Sequence, residues 1–479
     1  MKKEILLFQP EVPVKNPNYL PYSLLPVAGV LEEEGYKVGI VDTRFEDYRK
    51  LNLDDVIFCG ITSLTGLQIH YGLKISQWIR SANPSTKIVW GGIHSSLLPL
   101  QTCAHPMVDV VVKGEGEETI RELAHALEDG KSLEGVRGAI YKEDGHVKDN
   151  PDRPWVDMNQ YPLPPYHLLK RDQYFLDTIN INTSRGCPYQ CTFCFNRSWN
   201  KKSYRYQDPQ KVVEQIKYAK EWFPQAELIG FTDDNFFVKH ERVKEICRGL
   251  ISDGVGVRWT AMCRANYIVN FDEEMFVLLK RSGFKGFGIG GESGSLRVLK
   301  HIKKGITPEM IVEAVRRCGE HGLVSNVSFM VGFPTETIED VHRTLDIIDE
   351  MRRANPKAKT NGIFVLTPYP GTEAFDEAVV HGFKPPQTLD GWGLNFFSDP
   401  NQNPWYTEEY RELLEVLRGL SWIIFSEYSR FHLSPRYFLM TPLKFLLKAS
   451  AHIRWRLRYF NHAYEWKAYN WYVRRRGHL

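Results

Sequence analysis

Cysteine is scarce in this chain of 479 residues: there are eight. Five of them, Cys59, Cys103, Cys247, Cys263 and Cys318, are scattered through apolar or helical stretches with no pairing rhythm. That excludes a disulfide framework and points to a reducing compartment. Long apolar runs are also missing, since no stretch approaches the ~18 residues of a spanning helix. The opening MKKEILLFQP offers only ILLF before Gln9 and Pro10 intervene, too short for a signal-peptide core. These absences predict a cytoplasmic, soluble protein, or one attached at most to a membrane surface. Acid is nearly absent from the end of the chain. Residues 430 to 479 hold eleven Lys or Arg against the single Glu465, a balance of +10 within a whole-chain charge of +3, which leaves the remainder at −7. What is present in quantity is core material: 43% hydrophobic residues and 13% aromatics, enough for two to four domains and too much for disorder.

Short apolar runs alternate with helical periodicity from the start. EILLF reads as a buried strand, YSLLPVAGVLEEEGY as a helix ending at Gly35, then KVGIVDT and DVIFCGIT as strands. The helix LQIHYGLKISQWIRSAN, the strand KIVWGG and the strand–helix VDVVVKGEGEETIRELAHALEDG follow. This alternation predicts a doubly wound parallel sheet, an α/β fold whose ligands bind beyond the carboxyl ends of the strands. Those ends carry Ser63 and Thr65, then Gly91, Gly92 and His94, then Gly114, Glu115 and Gly116. Residues 149–176, rich in proline without period, read as a linker. A second alternation starts at TININ and runs through five further strand–helix steps to TNGIFVLTP. Such right-handed repeats close wholly or partly into a barrel with its function at the strand C-termini. The boundaries expected are 1–148, 149–176, 177–385 and a helical, basic and aromatic region 386–479.

The remaining three cysteines stand together in SRGCPYQCTFCFN, at 187, 191 and 194. A structural zinc site wants four ligands, and so does a cube of four irons and four sulfides. Three thiolates at the end of the first barrel strand leave one coordination position open, which suits a cluster that binds something. The alternatives are a zinc knuckle completed by His167 or His240, or a chance group of buried cysteines.

The C-x3-C-x2-C spacing with Phe193 beside the last cysteine resembles the radical S-adenosylmethionine (SAM) superfamily, and later stretches match in order. FTDDNF carries Asp233, Asp234 and Asn235, where the family braces the SAM amino group. GIGGESGS carries Glu292 and Ser293, matching positions near the ribose and carboxylate of SAM. FMVGFPTET, with Phe329, matches the strand end beside the adenine, and TPYPGT the last one. Singly these motifs are weak: Gly290 and Gly291 suit a tight turn and Asp233 suits a helix cap. Arg264 is suited either to neutralising the SAM carboxylate or to a surface pair with Asp272. The resemblance implies that Cys187, Cys191 and Cys194 hold three irons of a 4Fe-4S cluster, SAM chelates the fourth, and an external flavodoxin- or ferredoxin-type donor supplies the electron that cleaves SAM to a 5'-deoxyadenosyl radical.

Residues 1 to about 145 resemble the cobalamin-binding domain that precedes the barrel in one large subgroup, through GITSLTG, VWGGIHSSLLPLQT and VDVVVKGEGEETI. Small residues at strand ends let a flat corrin approach the backbone. No D-x-H-x-x-G stretch is present, so no histidine below the cobalt is evident; His94 is a candidate neighbour. Methylthiotransferases need three more cysteines in the first domain, where only Cys59 and Cys103 occur. The resemblance implies methylation of an unactivated carbon of a natural product, lipid or tetrapyrrole-like substrate. The group also contains the anaerobic magnesium-protoporphyrin ester cyclase, so radical ring formation or rearrangement without methyl transfer is the second reading. A binding protein on a degenerate barrel is the third. Past the barrel, TEEYRELLEVLRGLSWIIFSEYSRFHL has helical spacing and is expected to pack across the barrel. The basic, Trp- and Tyr-rich remainder fits packing on the barrel, an anionic membrane surface or a lipid-like substrate; with no RNA-binding module recognisable, nucleic acid ranks behind these.

Overall fold

The computed structural model describes residues 3–11, 19–174, 176–393, 403–425, 441–460, 463 and 467. The first half holds β1 (Glu4–Gln9), α1 (Leu25–Glu33), β2 (Lys37–Asp42), β3 (Val56–Thr62), α2 (Leu67–Ala82), β4 (Lys87–Gly91), α3 (Ile93–Leu97), α4 (Pro99–Ala104), β5 (Val110–Val112), α5 (Glu117–Glu128), β6 (Ala139–Glu143) and β7 (His146–Asp149). They form one sheet in the order β2-β1-β3-β4-β5-β6-β7. β1 to β5 are parallel, as their near-continuous apolar runs require when helices cover both faces. Beyond the five parallel strands expected, β6 and β7 extend the same sheet by antiparallel pairing. Their connection is a two-residue turn at Asp144 and Gly145, both with positive φ, which a hairpin demands. α1 starts at Leu25, with Pro26 in the first turn, where a missing N–H costs nothing.

The second half continues with β8 (Thr178–Ile181), β9 (Ser184–Arg185), α6 (Asn196–Asn200), β10 (Arg205–Tyr206), α7 (Pro209–Trp222), β11 (Leu228–Phe231), α8 (His240–Ser252), β12 (Arg258–Cys263), α9 (Ala265–Asn270), α10 (Glu273–Arg281), β13 (Phe284–Glu292), α11 (Leu296–His301), α12 (Pro308–Glu320), β14 (Val324–Val331), α13 (Ile338–Ala354), β15 (Lys359–Val365) and α14 (Glu373–Val380). Six strands, β8-β11-β12-β13-β14-β15, make a parallel sheet with β8 and β15 as its edges: a partial barrel. Strand alternation decides what faces inward. In β14, Val327, Phe329 and Val331 are buried in the core that also takes α12 and α13, while Asn326, Ser328 and Met330 stay partly exposed on the other face. α13 opens on a capping box, Thr337 with Asp340.

The proline-rich run does not stand free between the halves. Met158, Tyr161, Tyr166, Leu169 and Tyr174 are buried, and Tyr174 donates to Asp42 at 3.0 Å. One apolar core runs from the α1/α5 face of the first sheet through these residues into the barrel. A second core covers the opposite face of the first sheet and includes Leu389 and Trp392 from beyond the barrel. α15 (Glu408–Phe425) packs on β15, as expected, and α16 (Thr441–Leu457) on α15. In α16, Trp455 is buried and donates to Asp349 at 2.9 Å, and Arg458, just past the helix end, pairs with Asp346 and Asp349 at 2.7 Å each. Of the basic region expected over 430–479, residues 430–440, 461–462, 464–466 and 468–479 lie outside the described residues, as does the end, 426–433, of the helix expected before it. Among the described residues no helix is long and apolar enough to cross a membrane.

Candidate active site

The loop that follows β8 carries the cysteine triplet and is framed by the short ribbon of β9 and β10. None of the eight cysteines is in a disulfide. Cys191 is buried, and Cys187 and Cys194 are half-buried. Burial pushes the Cys194 thiol up to about 12 and raises that of Cys187. Two N–H donors point at these sulfurs: Asn235 Nδ2 is 3.8 Å from Cys187 Sγ, and Arg264 Nη1 is 3.8 Å from Cys191 Sγ. No three His, Cys, Asp or Glu among the described residues converge tightly enough for a single ion. The two histidines suggested for a zinc knuckle do not help: His167 pairs with Glu32 at 2.9 Å, and His240 packs edge-on to Tyr267 and Phe271.

The acidic stretch after β11 divides its labour. Asp233 is buried and accepts from Thr183 N at 2.6 Å, Thr183 Oγ1 at 2.7 Å and Ser184 Oγ at 2.8 Å, so it ties the cysteine loop to the sheet and caps no helix. Burial raises its carboxyl and these bonds oppose the rise. Asp234 accepts from Gly186 N at 3.0 Å. Asn235 is different, because its Oδ1 is buried with no partner beside Cys187. A buried orphan acceptor costs roughly 1–3 kcal/mol, which a donor on a bound molecule would recover.

Arg264 lies 3.6 Å over the ring of Tyr189, and its Nη2 donates to the Lys304 carbonyl. It does not pair with Asp272, which instead caps α10 and holds Lys244 at 2.7 Å. Glu292 ends β13 at φ +62, a conformation that costs a non-glycine residue about 1–3 kcal/mol and concentrates at functional sites. Its Oε1 accepts from Lys304 Nζ at 2.6 Å, over the face of Gly290. Ser293 and Phe329 point elsewhere: Ser293 Oγ lies 3.2 Å from Thr344 Oγ1 on α13, and the Phe329 ring fills the core against Gly291. Phe193 packs against Phe333. Lys304 and Tyr189 gave no sequence signal of their own, since a lone Lys–Lys–Gly and one tyrosine inside the cysteine motif fit any loop.

Between the first sheet and this loop lies a cavity of about 790 Å³, within the ~300–1,000 Å³ usual for cofactor sites. Gly60, Thr62, Leu64, Gly91, Gly92, Gly114, Glu115 and Gly116 border it from the first sheet, and Asn182, Arg185, Phe195, Trp199, Thr232 and Asp234 from the barrel. A Cβ at Gly92, where φ is +93, would meet the Ser63 carbonyl at 2.7 Å, while Gly114, at φ +85, faces open space. Ser63, Thr65 and His94 do not line it. They form a buried set behind the glycine wall, with Ser63 Oγ on the Gly91 carbonyl at 2.9 Å and Thr65 Oγ1 on His94 Nδ1 at 3.0 Å. Burial lowers the His94 imidazole to about 4, so the ring is neutral.

The Radical SAM superfamily model matches residues 181–348, and the B12 binding domain model matches residues 17–124. An uncharacterized methyltransferase of Pyrococcus horikoshii is 32% identical over 372 residues, covering 75% of this chain and 79% of that protein. The chain belongs to the cobalamin-binding radical SAM family. The anaerobic magnesium-protoporphyrin IX monomethyl ester cyclase of Rubrivivax gelatinosus is 28% identical, covering 75% of this chain and 66% of the cyclase. Among solved structures, the cobalamin-dependent SAM radical enzyme OxsB with aqua-cobalamin and SAM bound superposes with a TM-score of 0.74 at 17% identity, over 99% of this chain and 75% of that one. As a radical SAM enzyme of this family, the protein uses a 4Fe-4S cluster, SAM and cobalamin. Its residues fit them: three sulfurs with N–H donors aimed at two of them, an orphaned amide oxygen beside one, and a glycine-walled cavity adjoining the same loop.

Proposed function

We propose that the enzyme methylates an unactivated carbon of a small molecule, of natural-product, lipid or tetrapyrrole-like class. The observation that carries this reading is the shared cavity, which is lined by the strand ends of the first sheet and by residues flanking the cysteine loop. A corrinoid held there would stand beside the SAM site, the arrangement that methyl delivery to a substrate radical needs. When bound, the cofactors supply reductive SAM cleavage and a transferable methyl group.

The chain supplies position and exclusion of water. Cys187, Cys191 and Cys194 would ligate the cluster; Asn235 Oδ1 would accept from the SAM amino group; Arg264 and the Glu292–Lys304 pair would orient the carboxylate and ribose end. Asp233 and Asp234 hold the loop, while Ser293 and Phe329 support from behind. Gly91, Gly92, Gly114 and Glu115 would border the corrin, with Ser63, Thr65 and His94 backing that wall. In domain terms we read 1–148 as cobalamin-binding, 149–176 as a packed connector, 177–385 as the barrel and 386–479 as the C-terminal region. The electron would come from a flavodoxin- or ferredoxin-type donor. The C-terminal region, with Ile453 and Leu457 exposed on α16 and a +10 balance, would touch an anionic membrane surface.

The test uses methyl-labelled SAM with extracts of the source organism. Methylation predicts both S-adenosylhomocysteine and 5'-deoxyadenosine, with label in product. Substrate-dependent 5'-deoxyadenosine without label would replace methylation by cyclase-like chemistry, which the similarity to the Rubrivivax enzyme makes the second reading.

A further inference from the structure

Two arginines from the ribbon that frames the cysteine loop grip two carboxylates that border the cavity, Glu115 in the loop after β5 and Glu117 at the start of α5. Arg185 ends β9, two residues before Cys187, and faces Arg205 of β10 in the ribbon. Its Nη2 donates to Glu117 Oε1, and its Nη1 stands 3.5 Å from Glu115 Oε2. Arg205 Nη2 donates to Glu115 Oε1 and, at 3.0 Å, to Asn200 Oδ1, with its guanidinium 3.9 Å over the Trp155 ring. The Glu117 side chain is 3% exposed and that of Glu115 is 9%. Burial works against the Glu117 carboxylate, but the Arg185 charge holds it below the usual range. Glu115, Glu117 and Arg185 all line the cavity.

Simple domain glue would satisfy every atom, and this cluster does not. Glu115 Oε2 is buried with the 3.5 Å ion contact to Arg185 and no hydrogen bond, and Arg205 Nε is buried with no hydrogen bond. The rim of a corrin carries carboxamides, whose N–H groups are donors that would complete such an oxygen. Removing one member of a buried ion cluster leaves the others uncompensated, so whatever fixes Glu115 also fixes Arg185 and the backbone leading into Cys187.

We propose that Arg185, bound to Glu115 and Glu117, is a positioning residue that couples corrinoid binding in the cavity to ordering of the cysteine loop. The proposal rests on the reading of the cavity as the cobalamin site. Coupling is reciprocal, so loading the cluster must tighten corrinoid binding by the factor with which corrinoid favours the loaded loop.

The experiment titrates hydroxocobalamin into the full chain, with and without anaerobically reconstituted cluster, and compares the two dissociation constants. Native protein should bind about tenfold more tightly when cluster-loaded, within the ~5–150-fold range of ordinary coupling. Arg185→Met should bring the ratio close to one while each cofactor still binds, and Arg185→Lys, which keeps the charge and loses the two-pronged fork, should fall between. Should Arg185→Met fail to fold, the near-isosteric Glu117→Gln replaces it and should lower the ratio likewise. An unchanged ratio in the variants, or a native ratio of one with both cofactors bound, overturns the coupling. Native protein that binds no hydroxocobalamin overturns instead the cobalamin reading beneath it.

Discussion

At Glu336, in the turn after β14, a carboxylate is buried with its two oxygens treated unequally. Oε2 accepts from Tyr410 Oη at 2.7 Å and from the Gly332 amide, while Oε1 has no partner. Burial pushes the carboxyl up to about 7 from an ordinary 4.5. A raised carboxyl means that the folded chain keeps a proton that the unfolded chain releases, so stability should fall as pH rises from about 4.5 to about 7 and stay reduced above. At ~1.4 kcal/mol per unit the loss is roughly 3 kcal/mol. Glu336→Gln should flatten that slope and raise the melting temperature near pH 8; melting curves that keep the same pH dependence in both proteins would refute it. Asn235 makes the second residue-scale prediction. Asn235→Ala should retain the cluster yet weaken SAM binding by about tenfold, one charge-assisted hydrogen bond's worth. The perturbation of the reduced cluster's paramagnetic spectrum by added SAM reports this directly, and an unaltered affinity would remove Asn235 from the site.

Among the elements, the short turn Asp390–Trp392 ties the end of the barrel back to the first sheet. Trp392 is 1% exposed, donates to Gln101 Oε1 at 2.7 Å and stands 5.7 Å from the His94 ring, while Asp390 pairs with His105 at 3.1 Å. Gly393 passes close to the His70 backbone, where a Cβ would come within 3.2 Å of the amide. The chain therefore returns to brace α2 and α4 from outside. Truncating a large buried aromatic costs ~3–5 kcal/mol, and Trp392→Ala should do so here. Amide exchange should accelerate in α2 and α4 before it does in β13 and β14; a uniform acceleration across both sheets would show that the turn is no separate brace.

For the whole molecule, the membrane contact proposed for the C-terminal region can be tested on α16. α16 turns Ala451 and Trp455 inward and leaves Ile453 at 59% and Leu457 at 69% exposed. Basic groups near an anionic surface contribute ~1 kcal/mol each and are screened by salt. Native protein should therefore co-sediment with phosphatidylserine-rich vesicles and be released by salt. The double change Ile453→Glu and Leu457→Glu should abolish sedimentation without altering the melting temperature; equal sedimentation by both forms would assign α16 to packing alone.

The sequence by itself determined the alternation of strand and helix, the two sheets, the spacing of Cys187, Cys191 and Cys194, and the glycines at the strand ends. Each of these is written in local periodicity or in a fixed offset between residues, and neither needs the far parts of the chain to be read. The antiparallel β6 and β7 escaped because β6 offers only the three-residue buried run Ala139–Tyr141 and β7 is polar and mostly exposed, so neither carries a readable hydrophobic period. Which member of Asp233, Asp234 and Asn235 faces the cysteines was undecidable along the chain, because all three are hydrogen-bonding groups on adjacent positions and only the fold commits two of them to backbone amides. Tertiary structure alone set His94 behind the glycine wall and made one cavity from strand ends and loops more than a hundred residues apart. It also joined Arg185 to Glu115 and Glu117, whose side chains become an ion cluster only when the two halves pack and expel the water that would otherwise screen them.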